Sequence, residues 1–185
     1  DWSSACALPI SNTESFFGMI HNIDQNIGQL LAKLDEWGIA KNTLVIFMND
    51  NGGTAGVNVF NAGMHGAKGT AWLGGTRASS FWRWSGTIQP ADCGALTAHI
   101  DFFPTLAEIV GAKIPDEVKP QVEGRSLVPL LENPMAPWGD RVLIAHQGRW
   151  PKFADPNESK FKMCSVRNTR WHLVSRSEEH TSEPS

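Results

Sequence analysis

The passage from an amphipathic helix into an apolar strand, between residues 16 and 48, most constrains what this chain can fold into. Phe16, Ile20, Ile23, Ile27, Leu30, Leu34 and Trp37 recur at steps of three and four, with Asp24, Gln25, Lys33 and Glu36 between them. That spacing predicts a long helix with one buried stripe. Gly38 follows at once and suits a left-handed C-cap. After "IAKNT", the run Leu44 to Met48 is continuously apolar, as expected of a strand covered on both faces in a parallel sheet. Helix, short turn and buried strand make half of an α/β repeat, and α/β is the fold class predicted.

The strand runs straight into "NDNGG". In open α/β sheets ligands bind at the carboxyl ends of the strands, where Asp50 and Asn51 fall. A carboxylate and an amide oxygen are hard donors, suited to Ca²⁺ or Mg²⁺ rather than zinc or copper. Gly52 and Gly53 let the backbone turn sharply beside them. Asp-Asn-Gly is also an ordinary turn sequence, so the tripeptide alone leaves a structural turn open.

From Asn49 to Thr87 the chain is glycine-rich and lacks a clear period, which inside a compact domain points to a site. Within it "GMHGAKGTAWLGGTR", residues 63 to 77, places His65, Lys68 and Arg77 on a loop with five glycines. Lysine as a point charge and arginine as a planar fork are suited to holding a tetrahedral oxyanion. A solvated basic loop is the plainer alternative.

Further on, "TAHIDFFPTLAEIVGA" reads as a strand end and a helix. Asp101 is placed to cap it, Pro104 lies in its first turn and Gly111 closes it. "RVLIAHQ" (141 to 147) and "FKMCSVRNTRWHLV" (161 to 174), with a turn at Arg167 to Thr169, predict a small antiparallel sheet. A net charge of -3 and pI near 6.1 give no electrostatic footprint for nucleic acid or an anionic membrane. No apolar run reaches transmembrane length. Cys6, Cys93 and Cys164 have no paired metal spacing and indicate neither a disulfide framework nor a zinc site. The final "RSEEHTSEPS" has no apolar periodicity, and residues 176 to 183 resemble a translated sequencing adapter, so they are set aside as a non-native tail.

"NTLVIFMNDNGG", "AGMHGAKGTAWLGGTRASSFWRW", "HIDFFPTLAEIVGA", "GRSLVPLLEN" and "VRNTRWHLV" occur in order and with suitable spacing. Together they resemble the later half of the type I sulfatases, members of the alkaline-phosphatase-like superfamily. The resemblance runs from about Ser15 to Val174. It implies a partial alkaline-phosphatase-like sandwich, a mostly parallel sheet flanked by helices, with the start of a small C-terminal antiparallel sheet. The corresponding division is residues 1–135 in the catalytic α/β domain, 136–175 in the small-sheet subdomain and 176–185 in the tail.

The resemblance also implies roles. Asp50 and Asn51 inherit part of a Ca²⁺ site, and Lys68 inherits contact with the sulfate group. His65 stands where the family often has arginine and is a second catalytic candidate, a loop-structural histidine being the alternative. Leu73 stands where the family usually has glutamate. Arg77 is expected to brace the loop through ion pairing, Asp101 to cap its helix, and His146, Arg149 and Trp150 to pack as ordinary surface.

Family chemistry depends on a formylglycine made from a C/S-x-P-x-R signature, and no cysteine or serine here heads one. The early paired aspartates and the histidine-bearing segment before the long helix are absent too. The expectation is therefore a piece of a sulfuric ester hydrolase, truncated at both ends, inactive alone and poorly soluble. Its parent would cleave a sulfate-ester small molecule or a sulfated glycan, with periplasmic or secreted location implied by family only, and no nucleic-acid or membrane partner. Two rivals stay open: a phosphodiesterase or phosphonate hydrolase of the same superfamily, against which Asn51 beside Asp50 argues, and a non-catalytic sulfatase-like protein.

Overall fold

In the computed structural model, described over residues 12–147 and 152–175, the chain divides into a unit running to Ser85 and another starting at Gly86. The first begins with α1, Asn12–Glu36. Its end is a Schellman closure: Gly38 takes φ +70°, its N–H donates to Asp35 O, and the Ile39 N–H donates to Leu34 O at 3.1 Å. Positive φ is why glycine stands there. A 3-10 turn, Ala40–Asn42, leads into β1, Leu44–Met48.

The partner of β1 was not legible in the sequence. β2, Ser80–Trp84, lies within the stretch expected to be irregular and pairs antiparallel with β1, Leu44 opposite Trp84 and Met48 opposite Ser80. Among the described residues the expected parallel pairing is not formed; every strand pair is antiparallel. The burial expected on both faces of β1 is also partial. Phe47 is exposed and stacks on Phe81, ring centroids 6.3 Å apart, a cross-strand aromatic pair of the kind that stabilises two-stranded ribbons.

The α1 stripe differs in the same sense. Leu34 is buried, but Ile20, Ile23, Leu30 and Trp37 are exposed, Trp37 at 63%. Periodicity says which side chains share a face, not what covers it. Among the described residues, α1 packs chiefly on two 3-10 turns, Ala40–Asn42 and Ala55–Asn58. The Phe16 ring lies so close to Gly56 that a Cβ there would meet Phe16 Cε1 at 2.5 Å. A one-turn helix, α2, Leu73–Thr76, precedes β2.

The second unit carries α3, Phe102–Ile109, the short α4, Val128–Glu132, and the expected small antiparallel sheet. Its strands are β3, Leu143–His146, β4, Cys164–Arg167, and β5, His172–Ser175, in that order. Gly111, at φ +66°, ends α3 as predicted.

Asp101 does not cap α3 with its side chain. Fully buried, its carboxylate instead accepts from Ala98 N and Arg125 N at 2.7 and 2.8 Å. It also pairs with Arg141 Nη1 at 2.7 and 2.8 Å. Thr105 Oγ1 accepts from Leu127 N at 2.8 Å. One carboxylate and one hydroxyl thus tie the start of α3 to residues 125–127 and to Arg141.

Candidate functional site

The site is built by backbone hydrogen bonds between two loops of the first unit. Past the end of β1, Asn49 N donates to Ser79 O at 3.1 Å, and Asn49 Oδ1 accepts from Ser79 Oγ at 2.6 Å. Gly52 N then donates to Gly75 O at 3.0 Å, and Lys68 N donates to Gly53 O at 2.9 Å. The lysine-bearing loop is therefore fastened to the strand tip that presents Asp50 and Asn51. Glycine is required by the closeness of this docking: a Cβ on Gly52 would overlap the Gly74 carbonyl, and one on Gly74 the Gly66 carbonyl.

Asn61 holds the loop in shape. Its amide donates to Met64 O at 2.7 Å and to Gly66 O at 2.8 Å, while Gly74 N closes on His65 O at 2.8 Å. Sequence reasoning missed Asn61, Asn49 and Ser79. An asparagine at the foot of a glycine-rich loop was the available signal, since its amide can satisfy loop carbonyls.

The side chains expected to act are left uncommitted by the fold. Asp50, Lys68, His65 and Arg77 are exposed and Asn51 is half-buried. Among the described residues the polar ends of Asp50, Asn51, Lys68 and Arg77 have no hydrogen bond or ion pair. Arg77 thus does not brace the loop by ion pairing, as the sequence suggested. His65 packs its ring edge-on against Trp72, centroids 4.6 Å apart. His146 reaches Ser159 O through Nε2 at 3.1 Å, in keeping with packing; Arg149 and Trp150 lie outside the described residues.

Among the described residues no three His, Cys, Asp or Glu side chains group as a metal site. Asp50 and Asn51 are two oxygen donors where Ca²⁺ takes six to eight, so they fit as part of a shell. Beside them opens a cleft of about 340 Å³ with a wall that includes Phe16, Phe17, Ile20 and Phe60. Asn51 and Arg77 line it; Asp50, His65 and Lys68 do not.

Backbone hydrogen bonds thus fasten an oxygen-donor strand tip to a cationic, glycine-rich loop. Comparison with known proteins gives the family. The family model described as Sulfatase matches residues 3–112, and the chain belongs to the sulfatase family. It is 38% identical over 165 residues to the steryl-sulfatase of Mus musculus, covering 83% of this chain and 23% of that protein. It is 35% identical over 133 residues to a sulfatase of Formosa agariphila, covering 66% and 24%. The chain thus spans about a quarter of the length of these curated relatives.

A crystal structure of Ps i-CgsB in complex with k-i-k-neocarrahexaose superposes with TM-score 0.73 at 24% identity, covering 92% of this chain and 36% of that one. That likeness shows the fold: a partial α/β, alkaline-phosphatase-like architecture, of which the described residues form helices and two small antiparallel sheets.

Proposed function

We propose that the chain is part of a sulfuric ester hydrolase and that its first unit contributes the cation- and sulfate-holding side of the active site. The observation that carries this reading is the pair of backbone bonds, Gly52 to Gly75 and Lys68 to Gly53, that fastens the cationic loop to the oxygen-donor tip. Asp50 and Asn51 would hold Ca²⁺, which when bound supplies positive charge against the sulfate oxygens. Lys68 orients the ester's sulfate by charge and hydrogen bonding. His65, steadied by Trp72, offers a second donor near the same loop. No step of bond cleavage is assigned to these residues, because no C/S-x-P-x-R run occurs in the sequence.

The test is made on the gene. An upstream frame carrying C/S-x-P-x-R is expected, and the enzyme it encodes should hydrolyse aryl sulfates faster than matched phosphate esters. In that enzyme Lys68→Ala should lower kcat/KM by about 10²-fold or more, the scale of losing one charge-stabilising group. The 185-residue chain alone should show no turnover. An upstream frame without the signature, or full activity in Lys68→Ala, would overturn the reading.

A further inference from the structure

We infer that Thr70 is a positioning residue, whose hydroxyl fixes Lys68 at the corner of a tight turn and so sets where its ammonium can reach beside the strand tip. The inference rests on the reading of Lys68 as the group that holds sulfate, and adds to it the residue that keeps Lys68 in place.

Residues 67 to 70 close a four-residue turn, in which Thr70 N donates to Ala67 O at 3.0 Å. Lys68 is second in it and Gly69 third, at φ +85°. Positive φ at the third residue is the type II pattern. The Thr70 side chain doubles the closure: Oγ1 donates to Ala67 O at 2.8 Å and accepts from Ala67 N at 3.3 Å. One hydroxyl thus holds both backbone groups of the residue before Lys68, its single proton going to the carbonyl. On the other side, Lys68 N donates to Gly53 O at 2.9 Å.

The same hydroxyl lies where the two loops dock. A Cβ on Gly66 would meet Thr70 Oγ1 at 2.5 Å, and one on Gly75 would meet it at 2.7 Å. Gly75 O is the acceptor of Gly52 N. One side chain therefore links the turn that carries Lys68 to the clamp beside Asp50 and Asn51. The lysine has no other hold on its position. Its ammonium makes no bond among the described residues, and its four-carbon stem is flexible. Placement of the charge depends on the backbone, and small misplacements of a binding group cost rate steeply.

Two variants separate hydroxyl from bulk: Thr70→Val deletes the hydroxyl at nearly the same shape, and Thr70→Ser keeps it. In the 185-residue chain, Thr70→Val should speed amide hydrogen exchange at Lys68 at least tenfold and leave the amides of β1 unchanged. Thr70→Ser should stay close to the unaltered rate. In the enzyme that the full gene encodes, Thr70→Val should lower kcat/KM for an aryl sulfate about tenfold, and Thr70→Ser should restore most of it. Added to Lys68→Ala, Thr70→Val should cost nothing further, since its effect runs through the lysine. Unchanged exchange at Lys68, or a loss that adds to that of Lys68→Ala, would overturn the inference. Full activity in Lys68→Ala alone would instead sink the sulfate-holding reading, with exchange still deciding whether Thr70 holds the turn.

Discussion

Single atoms decide several positions. Gly52 stands where a methyl group would collide with the Gly74 carbonyl, so Gly52→Ala must push the two loops apart or strain them. A loss of about 2 kcal/mol or more is expected in urea unfolding; an unchanged midpoint would mean the docking is not as close as described. His172 faces Arg167 across β4 and β5, and its Nε2 is buried without a hydrogen-bond partner among the described residues. Burial first, then the Arg167 charge, hold its pKa below the ordinary 6.5. The folded state therefore favours the neutral ring. Its contribution is intact above pH 6.5, declines as the unfolded chain takes up the proton first, and is fully lost below the folded pKa. His172→Gln should flatten that part of a stability profile between about pH 7.5 and 5; an unaltered slope would clear His172 of the role.

Elements divide into those whose signal is local and those that depend on a partner. α1 was legible because seven apolar positions and Gly38 agree on one helix and one stop. The hairpin of residues 168–171 was legible from its polar turn, where Asn168 Oδ1 accepts from Arg170 N and Trp171 N. β2 was not, because "SFWRW" is short, breaks apolar alternation with Arg83, and pairs with β1 across more than thirty residues of loop. In the candidate site, the sequence singled out residues 50, 51 and 68, whereas the clamp by Asn61 and the aromatic cleft arise only from folding. Asp101 shows the same limit: a capping residue by sequence, it became a buried ion-pair centre because Arg141 arrives from forty residues away. Removing one member of such a pair strands a charge. Arg141→Met should cost about 3 kcal/mol, with much of it recovered in the Asp101→Asn, Arg141→Met double variant. Additive losses would show that the pair is not coupled.

Across the whole molecule, the described residues leave large apolar side chains uncovered in both units. On α1 these include Ile20, Ile23, Leu30 and Trp37, and on the second unit's sheet the directly opposed row Ile144, Val166 and Leu173. Such faces occur in a chain that spans about a quarter of its relatives' length. Function is proposed to reside in the joined loops of the first unit, and the most direct test is a calcium titration followed through backbone amide resonances. Weak binding, on the order of a millimolar because the shell is partial, should shift the amides of residues 50–53 and 68 together. Asp50→Asn should weaken it at least tenfold, about 1.4 kcal/mol. Calcium that leaves those amides unmoved, or that binds Asp50→Asn equally well, would contradict the account.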